Sequence, residues 1–359
     1  MEVRTQEDKI DEIYRGGKQD PTPENLDLFK ASEDGNVEAL EKSLAMGANV
    51  NYMSRDHLEQ GGMALHKAVR NPEKGIECVK LLLENGARKD VPLLSNLNTP
   101  LHEAASVGNE KACRLLLKEG MGTSLSTNID KSNLYGNTPI FSACRSGSVN
   151  TFRLLMEHHQ MNNINHLGST LLHLCAFLCE ETENCQRKTS SSERRASRLN
   201  AIEPPLQIAA MILASETFEN IDCLDMNGHS PLHIASQRGC TQLVKLLVDS
   251  GASLTLRTSL DSKGRGHRTA ADMASISEMM ETHELILQLE QMKQRDESII
   301  VTMKMAKDLE GGYSISNPVV GTAIRRRSSY SERRPEFESS FQCQLGEDMG
   351  PGSHQHGAT

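Results

Sequence analysis

The strongest constraint on this chain is that it repeats itself. The segment from Asn98 to Gly120, NTPLHEAASVGNEKACRLLLKEG, returns as GMALHKAVRNPEKGIECVKLLLENGA, as GNTPIFSACRSGSVNTFRLLMEHH and as NGHSPLHIASQRGCTQLVKLLVDSGA. A weaker first copy, LDLFKASEDGNVEALEKSLAMGANVN, lacks the leading Thr-Pro, and a last one, RTAADMASISEMMETHELILQL, keeps little beyond its Ala pattern. Terminal units of an array are atypical because one of their faces has no neighbour to cover it. Measured at the Leu of Thr-Pro-Leu-His, the copies fall at Leu28, Leu65, Leu101, Ile140, Leu172, Leu232 and Ala271, at intervals of 37, 36, 39, 32, 60 and 39 residues. A period of this length specifies a stacked array rather than a closed globule, and the interval of 60 marks an insertion.

Each unit reads as two short helices. In the third copy Thr99 is placed to cap a helix and Pro100 sits in its first turn, where the missing N–H costs nothing. Gly108 ends that helix; Ala112, Leu115, Leu116 and Leu117 then line an apolar stripe on a second one, which Gly120 stops. No unit buries that stripe alone, so stacking supplies the stability, at roughly 25 cal/mol for each Å² of apolar surface removed from water.

With these motifs the chain resembles the ankyrin-repeat proteins, with about seven repeats between residues 24 and 290. The resemblance implies an all-α fold: a solenoid of helix-turn-helix units with hairpin-like fingers and a concave face that holds a protein partner. Carried onto this chain, the exposed first-helix positions of that face are Lys67 and Arg70, Glu103 and Ser106, Ser142 and Arg145, Leu174 and Phe177, and Ile234 and Gln237. The finger residues are Arg55, Asp56, Tyr135, His166 and Asp225. The strip is mixed in charge in its first half and apolar around Leu174, Phe177 and Ile234, and such a patch marks a contact site or a surface covered by the neighbouring insertion.

That insertion, residues 180–203, separates the two helices of the fifth repeat, STLLHLCAFL and LQIAAMILAS. It is polar, with three consecutive Ser and five basic against five acidic residues, and such a composition does not repay the entropy of ordering. A mobile loop is the expectation. Residues 1–23 are an N-terminal extension, 291–310 read as a C-terminal capping helix with a short coiled-coil partner as the alternative, and 311–359 as a disordered Ser- and Arg-containing tail.

The function classes narrow by exclusion. A net charge of -9 opposes phosphate-backbone binding, and with no Trp and only 3% aromatic residues the material for base stacking is missing. Direct nucleic-acid binding is therefore not expected. No stretch of about 18 uncharged apolar residues is present, so no membrane span is expected either. Nine scattered Cys, an odd number without a framework, suit a reducing compartment, and the cytoplasm, with the nucleus beside it, is the expected location.

His66, His102, His173 and His233 recur at one repeat position, which points to a repeated structural hydrogen bond; Phe29 and Phe141 replace them in two copies. His173, Cys175, Cys179 and Cys185 are close in sequence, but their spacing is wrong for zinc knuckles and Cys175 aligns with Ala104 and Ala235. No nucleotide loop, nucleophile elbow or kinase signature is present; no catalytic residue, cofactor or metal is assigned. Two basic Ser clusters remain: Arg194-Arg195-Ala196-Ser197 in the insertion and Arg325-Arg326-Arg327-Ser328-Ser329 in the tail. They make Ser197, Ser328 and Ser329 candidate phosphorylation sites for a basophilic Ser/Thr kinase. The sequence thus specifies a non-catalytic scaffold or adaptor with a protein partner. A substrate-recruiting subunit of a multi-protein enzyme and a nuclear transcriptional cofactor are the alternatives.

Overall fold

In the computed structural model the repeated segments fold into repeated helix pairs. Residues 22–54, 62–118, 129–158, 162–179, 203–215, 218–259 and 266–309 are described. The first pair is α1 (Pro23–Asp34) and α2 (Val37–Ala45), followed by α3 (Ala64–Val69) with α4 (Gly75–Glu84) and α5 (Pro100–Ser106) with α6 (Glu110–Leu117). Next come α7 (Pro139–Ser146) with α8 (Val149–Met156), α9 (Leu171–Leu178) with α10 (Pro204–Ala214), and α11 (Pro231–Gln237) with α12 (Thr241–Asp249). The last pair is α13 (Ala270–Ile276) and α14 (Met280–Leu309). Among the described residues there is no strand, only an isolated antiparallel bridge between Met53 and Met63.

The helices end where the residue chemistry requires. Prolines occupy the first turns of α1, α5, α7, α10 and α11, and Asn36 and Asn109 accept amide hydrogen bonds as side-chain caps of α2 and α6. In the fourth finger Gly136 takes a left-handed φ of 75°, and a Cβ there would meet the His166 backbone at 2.5 Å. The third finger turns differently, with Leu97 left-handed at φ 60°.

Packing follows the repeat. Through residue 302, which bounds a compact unit, first helices stack on first helices from α1 to α13, and second helices stack on second helices from α2 to α12. One apolar core runs through this unit, from Leu28 through Leu101, Ile140 and Leu232 to Ile286. Helix α10 joins the series by packing on α8, α9 and α12. Residues 291–309 belong to α14, a single helix from Met280 to Leu309 that is also the second helix of the last repeat. Nothing between those residues breaks a helix: there is neither Gly nor Pro. Its first turns are anchored by buried Thr282 and Ile286, and His283 Nδ1 lies 2.9 Å from the Ala271 carbonyl oxygen. Met303–Leu309, the only described residues of a second unit, continue the same helix.

Asn109 shows how local and inter-repeat order are joined in one side chain. Its Oδ1 accepts the Ala112 N–H at 3.1 Å, and its Nδ2 donates to the Val69 carbonyl of the preceding repeat at 2.9 Å. Replacing Asn109 by Ala removes a cap and leaves a buried carbonyl without its donor, and is expected to cost about 2–3 kcal/mol. Urea unfolding followed by circular dichroism measures it; a change below about 0.5 kcal/mol refutes the dual role.

Candidate protein-binding face

The recurring histidines are joints between repeats. In His102, His173 and His233 the Nδ1 atom accepts the backbone N–H of Thr99, Thr170 or Ser230 at 3.1–3.2 Å. That fixes the tautomer with the proton on Nε2. Nε2–H then donates to the next repeat: to the Asn137 carbonyl at 2.9 Å, the His229 carbonyl at 2.9 Å, and the Leu256 and Arg268 carbonyls at 3.1 Å each. In the last described repeat Asp272 takes the histidine's place, and its carboxylate accepts the Thr269 N–H at 2.9 Å. His66 accepts the Met63 N–H at 3.2 Å, but its buried Nε2 points toward Val91 and Asn98 without a hydrogen bond of ordinary geometry.

Burial sets the protonation of these rings. It lowers His66 and His102 to about 4 and also lowers His173 and His233, in each case against the opposing effect of carbonyl acceptors. The folded state therefore binds protons more weakly than the unfolded state, whose histidines titrate near 6.5. Stability is full above that value and declines as pH falls toward the folded values. At pH 5 the loss is about 2 kcal/mol each for His66 and His102. Denaturant midpoints between pH 7.5 and 5 measure this decline; a flat profile contradicts it.

A second set of bonds runs along the finger bases. Arg70 Nε donates to Glu103 Oε2 at 2.5 Å, and Asn98 Nδ2 donates to Glu103 Oε1 at 2.7 Å. Asn133 Nδ2 donates to Asn98 Oδ1 at 2.8 Å, and Asn165 Nδ2 to Asn137 Oδ1 at 3.1 Å. The next residue in register, Asp225, has no amide to donate; its Oδ1 accepts the Asn227 and His229 N–H groups of its own turn. The line of side-chain bonds thus links the second repeat to the fifth.

This arrangement corrects part of the expected surface. Glu103 was read as an exposed first-helix position, but it is 3% exposed, enclosed by Arg70 and Asn98. Arg70 is half-buried in that pair, and Lys67, also half-buried, reaches Glu33 at 3.4 Å. Ser106 and Arg145 are exposed and Ser142 half-buried, with Ser106 Oγ turned back on the Glu103 carbonyl at 2.8 Å. Leu174 and Ile234 are half-buried against the core; Phe177, 61% exposed, is the open apolar position of that strip, and Gln237 beside it is exposed. Arg238 lies over the Phe177 ring, 5.2 Å from its centroid.

Of the finger residues, Tyr135 and His166 are exposed and Asp225 is half-buried. Arg55, Asp56, Ser197, Ser328 and Ser329 lie outside the described residues. The sequence reading missed the apolar finger tips: Leu167 is 63% and Met226 74% exposed, with Ile164 and Leu224 exposed beside them. A period-matched comparison of the turns held the signal, since Leu167 falls where Tyr135 does. Backbone bonds fix the tips relative to one another, from His166 N–H to the Tyr135 carbonyl at 3.0 Å and from Met226 N–H to the Leu167 carbonyl at 2.9 Å.

The His173, Cys175, Cys179 and Cys185 group, already discounted as zinc ligands by its spacing, has its described members engaged elsewhere. Both ring nitrogens of His173 are committed as described, Cys175 faces Cys144, and Cys185 lies outside the described residues. No helix among the described residues is long and apolar enough to cross a membrane.

Arg70 and Glu103 are a test of which rim residues serve the frame. Arg70→Met leaves a buried carboxylate with Asn98 alone and is expected to destabilise by about 1–3 kcal/mol, whereas adding Glu103→Gln restores part of that loss. Additive effects in a double-mutant unfolding cycle overturn the pairing.

Comparison with known proteins places this architecture. A family model described as ankyrin repeats matches residues 28–127 in three copies, and a single-repeat model matches 227–259. Helices α7–α10 lie between the two matches and continue the same stacking. Human transient receptor potential cation channel subfamily A member 1 is 26% identical over 230 residues, which is 63% of this chain and 18% of that protein. The NF-kappa-B p105 subunit of Gallus gallus is 32% identical over 190 residues, 52% of this chain and 16% of that protein. The chain thus spans under a fifth of the length of these two relatives. The crystal structure of the human ASB11 ankyrin repeat domain superposes with a TM-score of 0.50 at 21% identity, covering 75% of this chain and 98% of that one, a likeness of fold.

Proposed function

The chain is an ankyrin-repeat protein, and from that premise we propose that it is a non-catalytic scaffold or adaptor whose partner is a protein held along the fingers and first helices of the fourth to sixth repeats. The observation that carries this reading is the distribution of exposed apolar groups. Tyr135, Leu167, Met226 and Phe177 are open, while the polar rim of the second and third repeats is bonded to itself. An apolar aromatic anchor in a rigid frame contributes more to binding than rim charges already paired within the chain. The partner expected here presents an apolar segment and leaves the Arg70–Glu103 pair intact. Array proteins provide such long surfaces without chemistry of their own, and a cytoplasmic adaptor fits this one.

The basic Ser motifs extend the proposal to regulation. Phosphorylation of Ser197 by a basophilic kinase adds a charge of about -1.5 to -2 to the neutral segment 180–203, next in sequence to Phe177 and Cys179. Ser328 and Ser329 offer the same motif in the tail.

Affinity capture from cell extract tests both parts. Phe177→Asp combined with Leu167→Asp is expected to reduce recovery of the partner at least ~10-fold with the thermal midpoint unchanged, because both side chains are solvent-facing. Kinase treatment is expected to change recovery with the intact chain and not with Ser197→Ala. Undiminished recovery with the double variant removes the apolar face from the binding site, and equal recovery with and without kinase removes the regulatory role.

A further inference from the structure

Two buried thiols meet across the junction between the fourth and fifth repeats, and the binding function uses neither of them. Cys144 on α7 and Cys175 on α9 face each other, sulfur to sulfur, at 3.6 Å, both fully enclosed. The frame does not require sulfur at these positions. In register with Cys144 stand Ala105, Ala176 and Ser236, and in register with Cys175 stand Ala104, Ala143 and Ala235. All six are buried in the same helix stack, so small side chains fill these sites elsewhere in the array.

The junction they span lacks the histidine joint of its neighbours. His102, His173 and His233 each hand an Nε2–H to the following repeat, whereas the fourth repeat has Phe141 at that position, with no proton to donate. Two bonds along the fingers remain, from Asn165 Nδ2 to Asn137 Oδ1 and from His166 N–H to the Tyr135 carbonyl. A junction held by fewer buried hydrogen bonds opens at a lower free energy than those on either side. Opening is what these thiols need in order to react. The hydrogen bond to Cys144 and burial push the Cys175 thiol up, so in the closed stack it stays protonated and enclosed from a dissolved oxidant.

We propose that Cys144 and Cys175 are a latent staple, which hydrogen peroxide converts to a disulfide when the junction between the fourth and fifth repeats opens. In the opened junction one thiol of the pair loses its proton and attacks a peroxide oxygen. The O–O bond breaks, that sulfur becomes a sulfenic acid, and the departing hydroxide takes up the released proton to give water. As the helices close, the partner sulfur attacks the sulfenic sulfur. The S–S bond forms as the S–O bond breaks, and the hydroxyl leaves with the partner's proton as a second water. Two thiols are thereby oxidised by two electrons and one peroxide is reduced to two waters. The sulfurs start 3.6 Å apart against about 2.05 Å in a disulfide, a difference that rotation of the two side chains supplies.

The consequence is structural. The new bond joins residues 31 apart in sequence and ties α7 to α9, a covalent link where the histidine link is missing. Arg145 and Phe177 follow the two thiols on their helices, so the bond also restrains the spacing of these exposed side chains. Oxidation thus acts on the face assigned to the partner, although the chemistry stands whether or not that face binds one.

The test uses the full-length chain, treated with hydrogen peroxide, quenched with catalase, denatured in the presence of an alkylating agent, digested without reduction and mapped by mass spectrometry. A Cys144–Cys175 cross-linked peptide is expected, forming several-fold faster in urea below the unfolding transition than in buffer alone. The oxidised chain is expected to melt several degrees higher until dithiothreitol reverses it. Cys175→Ala, the residue already present at Ala104 and Ala235, is expected to abolish both the cross-link and the rise in melting temperature. Phe141→His, which restores a donor at the junction, is expected to slow cross-linking several-fold. Full alkylation of Cys144 and Cys175 after peroxide treatment overturns the proposal, as does preferential cross-linking of either to another cysteine. An unchanged rate in folded Phe141→His overturns the route through the opened junction; should that variant fail to fold, the urea dependence in the parent chain decides it.

Discussion

The array depends on one hydrogen bond made repeatedly, the histidine Nε2–H handed from one repeat to a carbonyl of the next. A buried imidazole without that acceptor carries the full cost of an unsatisfied donor. The histidine therefore ties the stability of each unit to the presence of its successor. His66 departs from this pattern, its buried Nε2 making no bond of ordinary geometry, whereas two other departures follow the same logic. Asp272 stands in the last described repeat and uses its carboxylate locally. Phe141 replaces the imidazole in the fourth repeat, and there the link to the fifth is carried by Asn165 Nδ2 on Asn137 Oδ1 and by the finger backbone bond between His166 and Tyr135.

Satisfying polar groups across repeats also determines what remains for a partner. From Arg70 to Asn165 the rim groups bond to one another, so a partner approaching there must break or bypass bonds already made. Past Asn165 the line ends, because Asp225 accepts but does not donate. The exposed groups from that point include Leu167, Met226 and Phe177, whose burial gains apolar contact without leaving a donor or acceptor orphaned. Arg238 holds the Phe177 ring by its face and shields part of it while leaving the rest open.

What the sequence made legible follows from periodicity. The helix pairs, the caps at Thr99 and Asn109 and the structural role of the histidines all rest on residues recurring at fixed offsets, and local chemistry suffices to place them. Glu103 was misread because its environment comes from Arg70, 33 residues away, and from Asn98 folding back over it; an exposed register position was converted into a buried one by side-chain pairing. The finger tips were underread for a different reason. Their turns are shaped by the recurring left-handed glycines Gly136, Gly168 and Gly228 rather than by the side chains of Leu167 and Met226, so only a turn-by-turn comparison singles these two out. Helix α14 runs unbroken because its backbone meets no helix breaker.

The insertion shows how much an array of this kind tolerates. In the third repeat three residues separate the two helices, Ser106 from Glu110, whereas in the fifth repeat 25 residues separate Leu178 from Pro204. For a flexible connection the added closure entropy is about 2 kcal/mol. Against this, α10 places Ile208 and Ile212 fully inside the core between α8 and α12. Each such side chain contributes roughly 1.5–3 kcal/mol. Packing therefore outweighs the cost of the longer connection, and α10 stays in register. The same reasoning locates the tolerance: an equal insertion within α10 would displace Ile208 and Ile212 from the stack, whereas at the turn it leaves every buried contact in place.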